Sequence, residues 1–197
     1  MGKCERCNDG WIPDLLGGMS GGYRCDSCDG HGNMPDDGLE NTAAATSETS
    51  EMGRDTYLVH VDPNRTLAQA IAAGGYDWVN EDITAANFPD PPMRTGDVRV
   101  ELIHFDRRIR TAGAESGIAD RGRSPADLWV ALALAERFPD LQRKFPLVAL
   151  GSVWAYPYGY RYVPCLCGLS GHRDLGLSWA RPSDEWLEYY RFLAVRK

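Results

Sequence analysis

Regular alternation of apolar and polar positions starts at residue 56 and predicts the strands of one domain. Residues 57–61 and 97–105 carry apolar side chains at every second position, as strands with one buried face do. Further strand-like runs, separated by Gly, Pro and Asp, occupy residues 147–153, 160–166, 174–180 and 189–195. Helices early and short strands late predict an α+β domain at residues 56–197, with mostly antiparallel strands.

Three helices are predicted before those late strands. Residues 65–73 form a short helix that two glycines end, and residues 111–119 form a weak one. The strongest helix is expected to begin at Ser124 as N-cap, with Pro125 at its first position, and to end at residues 138–140. Its residues 128–135 are apolar nearly all round, so this helix is expected to be buried on most sides.

Two cysteine pairs near the N terminus have the spacing of zinc ligands. Cys4 pairs with Cys7 and Cys25 with Cys28, and 17 residues separate the pairs. Four thiolates at this spacing close a tetrahedral cage around one Zn²⁺ and leave no open coordination position. The sequence therefore predicts one structural zinc ion in a small zinc knuckle at residues 1–32, whose folding depends on the metal.

The second cysteine pair belongs to a longer motif. It continues as Cys25-Asp-Ser-Cys28-Asp-Gly30-His-Gly32, a C-x-x-C-x-G-x-G repeat, and residues 4–10 are a degraded copy of it. This segment resembles the cysteine-rich zinc domain of DnaJ proteins. That domain carries four repeats and two zinc ions, so the resemblance implies one zinc ion for the two repeats here. Chaperone activity is not implied.

Two disulfides in an exported protein are the alternative, because six cysteines are an even number. No signal peptide precedes Cys4 and no stretch approaches the length of a membrane span, so we expect a cytoplasmic protein without membrane contact. Residues 33–55 have no aromatic residue and one Leu, which predicts a flexible linker between the knuckle and the domain.

Charge bears on the class of partner. Residues 1–55 hold 11 acidic and 4 basic residues, whereas residues 56–197 hold 17 of each sign. An acidic zinc segment disfavours binding to nucleic acid phosphates and suits a basic or neutral protein partner, although a solvated acidic surface is the more common explanation. A zinc-knuckle adaptor for nucleic acid is kept as an alternative function.

Aromatic residues at every second position indicate a binding surface. They are Trp154, Tyr156, Tyr158, Tyr160 and Tyr162. On a strand they share one face, although Pro157 and Gly159 indicate that part of the run is a loop. Aromatic rings with polar tips are favoured binding anchors, so Tyr156, Tyr158 and Tyr160 are predicted to bind a ligand. Trp154 and Tyr162 are as readily explained as core residues.

Two further motifs carry a second resemblance. Residues 121–129, Arg-Gly-Arg-Ser-Pro-Ala-Asp-Leu-Trp, and residues 190–196, Tyr-Arg-Phe-Leu-Ala-Val-Arg, resemble segments of the C-type-lectin-like fold of formylglycine-generating enzymes and of retroelement-diversified variable proteins. Residues 148–154 and 191–197 also resemble an uncharacterised phage-like bacterial family. The resemblance implies a non-enzymatic module whose binding surface precedes the final strand. Arg173, Trp179 and Trp186 lie in that segment and complete the predicted ligand-binding residues.

An enzyme is the competing class. Cys165, Cys167 and His172 lie close together in the chain and offer a thiol-dependent site, a redox pair or a second metal site. Alternation places both cysteines on one strand face. Formylglycine-generating enzymes also use two cysteines, but at a different spacing, so the resemblance does not imply their catalysis. H-E-x-x-H and phosphate-loop motifs are absent from the sequence.

Overall fold

The chain divides into two compact units, residues 1–51 and 52–197, in a computed structural model. The structure describes residues 11–12, 23–24, 56–156, 159–168 and 171–197. In the first unit, β1 (Trp11–Ile12) pairs antiparallel with β2 (Tyr23–Arg24). The four predicted zinc ligands and the predicted linker lie outside the described residues.

Strands dominate the second unit. They are β3 (Thr56–Val61), β4 (Trp78–Val79), β5 (Gly96–Ile103), β6 (Ile109–Arg110), β7 (Arg123–Pro125), β8 (Leu147–Val148), β9 (Trp154–Tyr156), β10 (Tyr160–Cys167), β11 (Asp174–Trp179), β12 (Glu185–Trp186) and β13 (Arg191–Arg196). Nine of them form one sheet in the order β3-β5-β13-β8-β10-β11-β4, with β7 beside β13 and β9 beside β10. All pairs in it are antiparallel except β13 with β8 and β11 with β4. The remaining pair, β6 and β12, is antiparallel and separate from the sheet.

Four helices accompany these strands among the residues that the structure describes. They are α1 (Leu67–Gly74), α2 (Thr111–Asp120), α3 (Leu128–Arg137) and α4 (Leu141–Lys144). The mixed α+β class and the mostly antiparallel sheet predicted from the sequence are confirmed. Within the residues that the structure describes, no helix combines the length and the apolarity that a bilayer crossing requires.

Apolar side chains are buried on both faces of the sheet at its central strand β13. Val59, Val100 and Leu193 face a core shared with α1 and α3, where Leu132 and Leu134 are buried. On the opposite face of β13, Phe192 packs against Phe105 and against Trp186 of β12. Because a sheet covered on both faces buries consecutive residues, β13 is apolar without interruption from its second to its fifth residue.

The start of the long helix differs from the prediction. Ser124 and Pro125 belong to β7, whose proline pairs with Ala194 of the final strand, and the N-cap of α3 is Asp127. One Asp127 carboxylate oxygen accepts a hydrogen bond from the Val130 N–H at 2.9 Å, and the other accepts from the Met93 N–H at 2.9 Å. A cap that also holds a distant loop is a tertiary feature, so the local Ser-Pro signal was misleading.

Candidate binding surface

Five aromatic rings share one face where β9, β10 and β11 lie side by side. The register pairs Tyr156 with Tyr160, and places Trp154 and Trp179 on either side of Tyr162. Directly opposed residues in antiparallel strands point to the same side of a sheet, as do residues two apart. We call these five residues the aromatic face. The run predicted from the sequence is therefore a hairpin with a turn, where Gly159 adopts a φ of 83°.

Inner rings support outer rings on this face. Trp154 and Tyr162 are half-buried, with ring centroids 5.4 Å apart, and Trp154 also packs against the main core. The three outer residues are much more exposed: Trp179 by 52%, Tyr156 by 45% and Tyr160 by 39%. The Tyr156 ring contacts Trp154 edge-on, and the Tyr160 ring lies 6.5 Å from that of Trp179. Three rings are thus presented to solvent on a packed base.

Charges beside the aromatic face are already paired. The Arg181 guanidinium lies 5.8 Å from the Trp179 ring centroid and binds the Asp184 carboxylate, with a closest distance of 3.0 Å. That hydrogen bond raises the pKa of Arg181 further, so it stays charged. Arg161 alternates to the opposite face of β10, where its guanidinium lies 3.7 Å from the Glu115 carboxylate of α2. Paired charges leave ring stacking and tyrosine hydroxyls as the recognition chemistry of this face.

Arg173 is not on this surface, which corrects the prediction that it binds a ligand. It is 7% exposed, and its guanidinium donates to the carbonyl oxygens of Gly74 and Gly75 at the end of α1 and of Ala135 in the last turn of α3. A fourth acceptor is the Gln142 side-chain oxygen. Helix C-termini carry partial negative charge and unpaired carbonyls, so a buried cation is stabilised there. Arg173 therefore joins helices.

Trp186 was also predicted to bind a ligand, and its burial corrects that prediction. It is 3% exposed, and its ring lies 5.2 Å from that of Tyr190 and 5.7 Å from that of Phe192. Its indole N–H donates to the Thr111 hydroxyl at 3.0 Å. Trp186 packs the core between the β6–β12 pair and the sheet. Of the six residues predicted to bind a ligand, the structure brings Tyr156, Tyr160 and Trp179 together at the surface, and Tyr158 lies outside the described residues.

The residues of the competing thiol site lie in different environments. Cys165 and Cys167 are 1% and 3% exposed, whereas the side chain of His172 is 67% exposed, with its Nδ1 4.0 Å from the Asp77 carboxylate. Across the described ranges, no group of three or more His, Cys, Asp or Glu side chains is placed to hold a metal ion. The shared strand face predicted for the two cysteines agrees with a Sγ–Sγ separation of 3.1 Å.

The sequence alone left open whether Trp154 and Tyr162 belong to this surface or to the core, and the structure places them half-buried beneath the outer rings. Their alternation with Tyr156 and Tyr160 indicates a shared strand face. Alternation does not indicate which residues of that face other parts of the protein bury. A comparison of the chain with known protein families, with curated proteins and with solved structures finds no match.

Proposed function

We propose that residues 56–197 form a non-enzymatic binding module that recognises a protein or other macromolecule through the aromatic face. The observation that carries the proposal is the solvent exposure of Tyr156, Tyr160 and Trp179 on a base of half-buried rings. Exposing large apolar rings is unfavourable in water, and contiguous exposed patches mark interaction sites. Tyr and Trp supply much contact area with few rotatable bonds, which is why they dominate binding energies at interfaces.

A C-type-lectin-like fold and an origin in phage or mobile elements belong to the same proposal. Their support is the pair of motifs at residues 121–129 and 190–196, together with a closing strand, β13, that lies within the sheet between β5 and β8. The aromatic face precedes β13 in the chain, where the resemblance expects the binding surface. Function rests on the surface itself, since a fold alone does not specify one.

The double variant Tyr160→Ala with Trp179→Ala is expected to lose partner binding while the domain stays folded. Truncating two aromatic anchors weakens affinity by at least about thirtyfold, since anchors of this kind contribute roughly 2 kcal/mol or more each. A partner is first isolated with the wild-type chain from its native source, and its affinity for each variant is then measured by calorimetry.

Trp78→Ala is the matched control, because Trp78 is a tryptophan of similar exposure, 45%, on edge strand β4 away from the aromatic face. Its variant should bind like the wild type. Equal affinity of the double variant and the wild type, with circular dichroism showing both folded, would place the binding site elsewhere.

We also propose that the first unit holds one structural zinc ion on Cys4, Cys7, Cys25 and Cys28. Four thiolates bind Zn²⁺ without further ligands, and reduced thiols suit the cytoplasmic location that we propose. The antiparallel pairing of β1 with β2 supports the proposal, because the chain reverses direction between the two cysteine pairs.

Elemental analysis of freshly purified protein is expected to find about one zinc ion per chain, the number that four tetrahedral thiolate ligands hold. Cys25→Ser should lose the metal, because three remaining thiolates no longer close the cage. Cys165→Ser removes a cysteine that is buried in the other unit and should retain the metal. Metal-free wild-type protein with all of its thiols oxidised would instead favour the two-disulfide alternative.

A further inference from the structure

The two cysteines of β10 touch each other inside the second unit. Cys165 and Cys167 are two residues apart on one face of the strand, and their sulfurs are 3.1 Å apart. A disulfide bond is about 2.05 Å long, so the sulfurs are separated by roughly one ångström more than a bond requires. Gly176 lies directly opposite Cys165 on β11 and contributes no side chain between the sulfurs and the neighbouring strand. We call Cys165 and Cys167 the thiol pair.

A buried hydroxyl without a partner accompanies the thiol pair. The Tyr189 hydroxyl has no hydrogen-bond partner among the described residues, and its ring stacks on that of Tyr190 at 5.1 Å. Burial, followed by the Glu188 carboxylate and the two thiols, raises the pKa of Tyr189 to about 12. An unsatisfied buried hydroxyl is costly, and this one lies near enough to both thiols for them to contribute to its raised pKa.

We propose that the thiol pair is a redox modification site, at which hydrogen peroxide converts Cys165 and Cys167 into an intrastrand disulfide. One thiolate attacks a peroxide oxygen, the O–O bond breaks, and the departing hydroxide takes a proton and leaves as water. The product is a sulfenic acid. The second sulfur then attacks the first, the S–O bond breaks, and the oxygen leaves as a second water. Two thiols and one peroxide thus give one disulfide and two waters.

The hydrogen bond between the sulfurs orders the two steps. That contact, followed by burial, raises the pKa of the Cys167 thiol well above its ordinary value, so Cys167 stays protonated. Cys165 is then the first nucleophile and Cys167 the resolving thiol. Burial slows the first attack, so the site responds to sustained rather than brief exposure.

Closing the disulfide strains the strand. Residues two apart in a strand have Cα atoms about 6.6 Å apart, at the upper end of the roughly 4.4–6.8 Å range that disulfides span. A disulfide at its most common Cα separation of roughly 5.5–6 Å would shorten β10 against its partners β8 and β11, with which it pairs at Cys165. We expect the oxidised protein to have a Tm several degrees lower than the reduced protein, and dithiothreitol to restore it.

Trypsin isolates the thiol pair from the other four cysteines. Cleavage after Arg161 and Arg173 releases residues 162–173, which contain Cys165 and Cys167 and no other cysteine. The full chain is exposed to hydrogen peroxide under native conditions, free thiols are blocked with iodoacetamide in denaturant, and the digest is analysed by mass spectrometry. We expect this peptide to be about 2 Da lighter than its reduced form and unalkylated, because two thiol hydrogens are lost.

Cys167→Ser is the control, since it keeps the first nucleophile and removes the resolving one. Its peptide should show no loss of 2 Da and should instead carry one alkylated or over-oxidised sulfur. In the wild type, a peptide that remains doubly alkylated, or that gains oxygen on one sulfur, would overturn the proposal. A disulfide that leaves the Tm unchanged would contradict the strain derived for β10.

Discussion

Arg173→Ala is expected to lower the free energy of unfolding of the second unit by about 3–5 kcal/mol, which is a large fraction of the stability of a typical domain. The buried guanidinium donates to carbonyls at the ends of α1 and α3 and to the Gln142 side chain. Gln142 in turn donates to the Cys167 carbonyl at 2.7 Å. Removing Arg173 leaves several buried acceptors without a donor and opens a cavity between three helices and the sheet.

Urea denaturation followed by circular dichroism measures this loss. Arg181→Ala is the matched control, because the Arg181 guanidinium also has a hydrogen-bonding partner, the Asp184 carboxylate, but its side chain is 45% exposed, and an exposed ion pair contributes roughly 0–1 kcal/mol. Arg173→Lys should lie between the two, since an ammonium keeps the charge but cannot reach acceptors in several directions. Equal stability of Arg173→Ala and Arg181→Ala would contradict the helix-joining role of Arg173.

Trp186→Ala is expected to cost about 3–5 kcal/mol, because it removes a fully packed ring from the core. Trp186 contacts the rings of Tyr190 and Phe192 and donates to the Thr111 hydroxyl. Its loss therefore removes ring contacts and a buried hydrogen bond at the point where the β6–β12 pair meets the sheet. Thermal unfolding should show a Tm lowered by roughly 10 °C or more.

Trp179→Ala provides the contrast with the same side chain. Trp179 is 52% exposed on the aromatic face, so its removal should change stability by less than about 1 kcal/mol while weakening partner binding. The two variants together separate a structural tryptophan from a binding one. Similar Tm values for both variants would show that the burial of Trp186 does not stabilise the domain.

Strand alternation in the sequence was a dependable guide to the fold where strands are long. The pattern at residues 57–61 and 97–105 predicted β3 and β5, which pair antiparallel over six residues. The two-residue strands β4, β6 and β12 were missed, because two residues are too few to show a period. Asp127 rather than Ser124 caps α3, since its second carboxylate oxygen holds a loop 34 residues away in sequence.

The candidate site, too, was predicted from the sequence only in part. Alternating aromatic residues identified Tyr156 and Tyr160 from the sequence, and the structure adds Trp179 as their neighbour across β10 and β11. Arg173 and Trp186 were grouped with them on their place in the chain before the final strand. Both are buried by distant segments of the chain. Carbonyl groups at helix ends surround Arg173, and core aromatic rings pack against Trp186.

The sequence by itself determined the α+β class, the strand faces and the position of the aromatic run, because backbone periodicity and side-chain chemistry are local properties. Only the tertiary structure decided which aromatic and charged side chains reach solvent and that the two thiols lie 3.1 Å apart in the interior. Burial depends on which distant elements cover a residue. That coverage is set by strand order and helix packing, which no short stretch of chain encodes.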